Sequence, residues 1–394
     1  MSKISNAKRI LAGVFIVVIS LFALKSNAFA GLETLAGYVA QDAGNAELTM
    51  SQIESDYVST IWEQQSFINI NGLMAKTLNM QGFYSDMGMY VTNDNYIVSA
   101  SAETSTDYEY EQIVAFKNYL DSIGVNLLYI NAPTKYIDDS LFNEQFGVAT
   151  YCNQNADLFV ERITKAGIPN IDLRNNMEED GLEITEQFFR TDHHWTTECG
   201  LWATQIIAEG LNEYCNYSID TSIYDTYNYT FTEYENCWLG EQGRKVAATY
   251  VGLDDFTCIK PNFDTNYIFT NTGEWVQGTF DDFIKDEIYN LENDVYENKS
   301  WYYSYSPRNC FNQNVANGKV LVIADSYFRV IHPFLSLGVH QCDSLILRNY
   351  GEDFNLKEFV RNGGYDTVII CYAQFMIGAH DDPTNANYPM FSFN

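Results

Sequence analysis

Two short stretches hold the residue types that acyl chemistry needs. The first is TDHHW, residues 191–195, which places two of the chain's five histidines beside an aspartate. The spacing Asp192-x-His194 lets one loop carry a base and the carboxylate that orients it. The carboxylate accepts from one ring nitrogen and leaves the other to take a proton from a nucleophile. His193 would then point elsewhere, and Trp195 would wall the site or pack beneath the loop. The second stretch is ADSY, residues 324–327. Ser326 follows a four-residue apolar strand and precedes a helix, which puts it at the carboxyl edge of a parallel sheet, where α/β proteins place ligands. Serine is a poor nucleophile alone and needs a base.

Each stretch has a rival reading. Ser326 could simply cap the helix after it. Asp192, His193, His194 and Glu198 could ligate a metal, with His332 near Ser326 in sequence, although none of the usual zinc-helix spacings is present. TDHHW could also be a packed structural corner. For a developing oxyanion the default donor is the backbone N–H of Tyr327. Arg348, Asn349 and Tyr372 close the next two strands on the same edge, and Arg348 could also bind a sugar or carboxylate. Lys135 ends another strand and could supply local positive potential. Loop hydrogen bonds, and a surface salt bridge for Lys135, are the alternatives.

The elements that must position these residues are regular from Asp107 onward. YEQIVAFKNYLDSIG reads as a helix closed by Gly124, VNLLYINAP as a buried strand, ADLFVERITKAG as a second helix and IPNIDL as a second strand. This is β–α–β spacing and implies a parallel sheet. A helix with an apolar face at Cys199, Ala203, Ile206, Ile207 and Leu211 follows the histidines. Strand, sharp turn and helix return in KVLVIADSYFRVIHPFLSLG, with Pro333 expected to kink or split the helix. SLILRNYG, NLKEFVRNGG and YDTVIICYAQ supply a strand, a helix and a last strand. The stretch between is crowded with Tyr, Asn, Asp and Thr, and reads as a β-rich insertion. Its aromatic rings would form either core or a carbohydrate platform. A hairpin is expected at MYVTNDNYIVSA.

The expected organisation is a signal peptide (1–30), an N-terminal segment (31–106), two parts of one α/β domain (107–214 and 319–394) and the insertion (215–318). The first segment has a basic start, an apolar run and the A-x-A spacing of Ala28 and Ala30, a secretory pattern. Its loss would move the net charge from −30 to about −34, since it holds four bases and no acids. No basic patch is visible for phosphate contacts, so nucleic acid is excluded as a partner. Of eight cysteines in an exported chain, Cys152, Cys199, Cys215, Cys237, Cys258 and Cys310 are candidates for disulfides, while Cys342 and Cys371 fall in strand-like runs.

FFRTDHHWTTECGLWA, residues 188–203, resembles the signature of the bacterial DHHW proteins, relatives of the alginate O-acetylation proteins and, more broadly, of SGNH hydrolases. INAPTK, WLGEQGRKVA and VLVIADSYFRVIHPFL extend the likeness, with Ala324 where the family usually has glycine. The resemblance implies an SGNH-like, flavodoxin-like parallel sheet with helices on both faces and a circularly permuted motif order. It implies Ser326 as nucleophile, His194 as base and Asp192 as its orienting partner, with no cofactor. It implies O-acetyl transfer to a polysaccharide, with a membrane-bound O-acyltransferase as acetyl donor. A carbohydrate acetylesterase and a non-catalytic glycan-binding or assembly protein are the alternatives. The expected place is outside a bacterial cell, secreted or on the outer face of the cytoplasmic membrane.

Overall fold

The computed structural model describes residues 64–135, 138–271, 273–284, 307–351, 353–378, 382–385 and 387–394, with isolated positions elsewhere. Two compact units are distinguished, residues 1–74 and 75–394, and the site lies wholly in the second. The signal segment expected at 1–30 lies outside the described residues apart from isolated positions. Among the described residues no helix is long and apolar enough to cross a membrane.

In chain order, β1 (Met89–Val91) and β2 (Ile97–Ser99) form the expected hairpin. Then come β3 (Asn126–Ala132), β4 (Asn170–Asp172), β5 (Tyr229–Trp238), β6 (Asp254–Pro261), β7 (Tyr267–Asn271), β8 (Glu274–Gly278), β9 (Cys310–Asn312), β10 (Lys319–Ala324), β11 (Gln341–Leu345) and β12 (Thr367–Ala373). Eight of these form one sheet in the order β4-β3-β12-β10-β11-β9-β7-β8. The first five are mutually parallel, and β9, β7 and β8 add antiparallel pairs at the other edge. Part of the segment read as an insertion therefore extends the main sheet, while β5 and β6 pair as a separate ribbon.

The central strands are continuous apolar runs because both faces are covered. Leu128, Ile130, Val320, Val322 and Ile369 face one core. Leu127, Leu321, Ile323, Val368 and Ile370 face the other. This period-two split is the strand geometry itself. The helix Thr197–Cys215 buries Ala203, Ile207 and Leu211 in the first core. The helices Asp107–Ser122 and Cys152–Lys165 bury Ile113, Phe116, Phe159 and Ile163 in the second. Gly124 closes the first of these with a φ of +73°, a conformation glycine takes without a Cβ penalty. Pro333 splits the expected helix: a 3₁₀ turn, Ser326–Val330, gives way to a helix His332–Gly338 with Pro333 in its first turn, where a missing N–H costs nothing.

The expected disulfides are corrected by the structure. All eight cysteines are buried and none is bridged. Their thiols fill apolar core positions, as small hydrophobes do. Of the insertion's aromatic rings, Tyr224, Tyr229, Trp238, Phe256, Tyr267 and Tyr305 are core.

Candidate active site

In register, Ala324 lies opposite Cys371, and Ala373 opposite Ala132. The carboxyl ends of β10, β12 and β3 therefore share one edge, and Ser326 stands two residues beyond it. Its side chain is partly exposed. Asp325 caps the turn: one carboxylate oxygen accepts from the Tyr327 N–H at 2.9 Å and the other from the Ala373 N–H at 2.8 Å. A single buried carboxylate thus ties the ends of β10 and β12. Burial pushes this carboxyl up, against those two N–H groups, His194 and Arg348.

The loop carrying the histidines closes on itself through a bridge between Phe188 and Trp195, with the Phe189 N–H donating to the His194 carbonyl at 3.1 Å. Lys135, just past β3, donates to the carbonyls of Phe189 (2.6 Å), Arg190 (3.0 Å) and Asp192 (2.5 Å). Three acceptors match the three N–H bonds of an ammonium. Burial brings the Lys135 amine down to about 7, against the pull of Asp254 and Asp192. Asp254 accepts from the N–H groups of Arg190 (2.8 Å) and Thr191 (2.9 Å). The Gly240 N–H donates to the Thr191 hydroxyl at 2.7 Å, and the Gly243 N–H to the Thr191 carbonyl at 2.7 Å. Glycine is required at 240: a Cβ there would stand 2.4 Å from the Asp192 Cβ and 2.6 Å from the Thr191 oxygen.

This scaffold holds a continuous hydrogen-bonded chain. Asp192 Oδ1 lies 2.6 Å from His194 Nδ1, and His194 Nε2 lies 2.7 Å from Ser326 Oγ. Asp192 also accepts from the His194 N–H at 3.1 Å and the Glu241 N–H at 2.9 Å. Burial opposes ionisation of Asp192. His194, His193 and the Glu241 N–H outweigh it and hold the carboxyl well below the usual carboxylate range. The arrangement can remove a proton from Ser326 and share the resulting imidazolium charge with Asp192.

Asp192, His193 and His194 also offer ligand atoms within 4.8 Å of one another. Their bonding is that of a proton relay: each His194 nitrogen already has a hydrogen-bond partner, and Glu198 begins the next helix with its carboxylate beside Thr197. His332 is remote in chemistry as well, its ring buried between Phe283 and Phe328 with Nε2 3.3 Å from the Cys342 carbonyl.

The other expected site residues scatter. The Tyr327 N–H, the default oxyanion donor, is taken by Asp325, a correction whose cause is the turn's own cap. Trp195 is fully buried and donates from Nε1 to the Tyr327 carbonyl at 2.9 Å, so it packs beneath the loop. Tyr372 is fully buried on the opposite face, donating to the Met390 carbonyl. Arg348 is exposed and donates to Asn387 at 2.8 Å, and Asn349 is exposed beside it. Lys135 is not a surface ion pair; its amine anchors the loop. Asp325 and Asp254 were not read as site residues from sequence. Asp325 had a signal, a carboxylate flanking the serine; Asp254 had none.

A five-stranded parallel core with helices on both faces carries this serine at its carboxyl edge, the arrangement of an SGNH-like α/β fold. Residues 87–233 match the family model described as an SGNH hydrolase-like domain of the acetyltransferase AlgX. That stretch includes Asp192 and His194 and ends before Ser326. Among solved structures, Bacillus cereus PatB1 with a sulfonyl adduct is 19% identical, with a TM-score of 0.58 over 78% of this chain and 99% of that one. A DHHW family protein from Eubacterium siraeum is 15% identical, with a TM-score of 0.57 over 77% of this chain and 95% of that one. At these identities the likeness is one of fold. No curated protein matches the chain significantly. The resemblance read in TDHHW and its neighbours is met by the family model and the DHHW structure.

Proposed function

We propose that the chain is an exported bacterial O-acetyltransferase that acts on an extracellular or cell-surface polysaccharide. The observation that carries this reading is the chain Asp192–His194–Ser326, with contacts of 2.6 and 2.7 Å on the two ring nitrogens of one imidazole. The family model that matches residues 87–233, described as that of an acetyltransferase domain, supports acyl transfer.

In this reading His194 Nε2 takes the Ser326 proton as Oγ attacks the acetyl carbonyl carbon of a donor ester. The donor alcohol leaves with that proton, and acetyl stays as an ester on Ser326. A sugar hydroxyl then gives its proton to His194 and attacks the same carbon. The bond to Ser326 Oγ breaks, and the serine recovers the proton. Asp192 keeps Nδ1 protonated and balances the imidazolium charge in both halves. A membrane-bound O-acyltransferase is the proposed source of acetyl, and the protein works secreted or on the outer face of the cytoplasmic membrane.

Hydrolysis shares the first half, with water in place of the sugar, and the partial exposure of Ser326 favours it as a second reading. The test is acetyl release from a chromogenic acetate ester, with and without oligosaccharide, for wild type, Ser326→Ala and His194→Ala. Loss in both variants with acetyl on the sugar supports transfer. Serine-dependent release of acetate alone identifies an esterase. Equal turnover in all three proteins refutes the acyl reading and leaves a non-catalytic glycan-binding or assembly protein.

A further inference from the structure

A cavity of about 290 Å³ is lined by residues adjoining the Ser326–His194 pair in the chain. His193 and Tyr327, the chain neighbours of His194 and Ser326, both line it. The Tyr327 hydroxyl donates to the His193 carbonyl at 2.5 Å, and the His193 and His194 rings lie 3.9 Å apart between centroids. The end of the β1–β2 hairpin, including Ser99 and Ser101, also lines it. We propose that this cavity is the acceptor subsite and takes a single uncharged pyranose ring, with Phe375 as its stacking face. The proposal rests on the acyl-transfer reading above.

Size comes first. Sites for small molecules run from about 300 to 1,000 Å³, so this cavity suits one sugar ring and not a run of them. Shape comes next. Phe375 is 39% exposed and belongs to no core cluster, yet it sits in the turn Gln374–Met376 at the carboxyl end of β12. Its ring lies 6.3 Å from His193 and 5.8 Å from Tyr327, edge to face with both. An open aromatic face beside polar groups is what the C–H face of a pyranose needs. Polar complement is third. The buried amide oxygen of Gln242, also in the lining, accepts from no donor among the described residues. A ring hydroxyl supplies one. Unmet, such an acceptor is costly.

Charge selects the sugar. Lys135 is the cation of this lining, and its three N–H bonds go to the carbonyls of Phe189, Arg190 and Asp192. Burial and the neighbouring His194 bring His193 down to about 4, so it stays neutral at pH 7. Asp192 lies 3.5 Å from His193, and the chain's net charge is −30. With the three Lys135 N–H bonds already given to carbonyls, a uronate carboxylate finds no free cationic donor in this lining.

The experiment uses the full chain carrying Ser326→Ala, which binds without turning over. Binding of methyl β-D-glucopyranoside, methyl β-D-glucuronide and glycerol is read by ligand-observed saturation-transfer NMR titration. The glucoside is expected to bind, with the glucuronide and glycerol at least about tenfold weaker. Adding Phe375→Ala should weaken the glucoside about tenfold, as loss of an aromatic face does, while Phe375→Tyr retains it. Equal binding of the glucuronide, or binding indifferent to Phe375→Ala, overturns the subsite. A parallel transfer assay on wild type separates the two claims. Transfer to the glucoside that depends on Ser326 but not on Phe375 sinks the subsite alone. Phe375-dependent binding without any Ser326-dependent transfer sinks the acyl reading and the acceptor role with it.

Discussion

The Lys135 ammonium donates to the Asp192 carbonyl at 2.5 Å, joining the end of β3 to the residue whose carboxylate orients His194. Two further bonds, to Phe189 and Arg190, make this side chain a fastening of the loop alongside Asp254. Lys135→Met removes three donors from buried carbonyls, each worth about 1–3 kcal/mol when left unsatisfied. The expected result is a fall in melting temperature and a loss of about a hundredfold in kcat, the cost of a misplacement near 1 Å. KM for a small ester should move little. Lys135→Arg should not restore activity, because a planar fork cannot reach three carbonyls arranged around a point charge. A Lys135→Met enzyme with full kcat would refute the fastening role.

Asp192→Asn removes the charge and, with a single acceptor oxygen, sets an NH₂ group against one of the bonds that His194 and Glu241 make to this carboxylate. Its amide can also turn a donor toward Nδ1 and reverse the tautomer of His194. The expected loss is about 10⁴-fold in kcat, with folding retained, read by ester turnover and by circular dichroism. A loss under about tenfold would mean that the 2.6 Å contact to Nδ1 is structural only.

Gly240→Ala tests the contact between WLGEQGRKVA, residues 238–247, and the histidine loop. The new Cβ would stand 2.4 Å from the Asp192 Cβ, so the helix Glu241–Val246 must shift and its Glu241 N–H must leave the Asp192 carboxylate. Overpacking of this kind costs about 1–3 kcal/mol. Activity should fall further than stability alone explains when measured well below the melting temperature. Unchanged kcat would show that the Glu241 bond does not matter.

Asp325 accepts with both oxygens, from Tyr327 and from Ala373. An amide has one acceptor oxygen, so Asp325→Asn leaves one buried N–H opposed by an NH₂ group. The expected cost is about 1–3 kcal/mol in urea unfolding, with reduced turnover because the serine turn loosens. Equal stability of Asp325→Asn and wild type would contradict the clamp.

Acid should destabilise the fold. Burial brings His332 down to about 3, and burial with the neighbouring His194 charge brings His193 to about 4, whereas both would protonate near 6.5 when unfolded. Between pH 6.5 and those values the unfolded chain binds more protons, so stability falls as pH falls. His332 alone should account for about 2 kcal/mol by pH 5. Asp192, held below the usual range, adds a loss in the same direction below about pH 4. Urea midpoints from pH 7 to 5 check this, and His332→Phe should flatten the slope. A midpoint independent of pH would contradict it.

Much of this architecture was legible in the chain. The runs VNLLYINA, KVLVIA and TVIICYA are apolar on both faces, and only strands buried by helices on each side read that way. TDHHW and ADSY were legible because their chemistry is concentrated in a few adjacent residues. What could not be read was the support between distant segments. Asp254 is one acid among 52 acidic residues, and its bonds to the backbone of Arg190 and Thr191 depend on a ribbon whose register no local pattern fixes. Lys135 looked like a source of potential because sequence shows its charge and not its acceptors. Trp195 and Tyr372 have the right types for a site, but burial turned both toward packing. The Tyr327 N–H was lost to a cap one residue away, a competition that only turn geometry decides.

In the proposed reaction Ser326 holds acetyl covalently. The most direct measurement is to mix the purified protein with a chromogenic acetate, quench in acid within the burst, and locate the adduct by intact mass and peptide mapping. One acetyl group is expected on the peptide containing Ser326, absent in Ser326→Ala and His194→Ala, and discharged when an oligosaccharide is added before the quench. Acetylation at another residue, or the same adduct in Ser326→Ala, would contradict it.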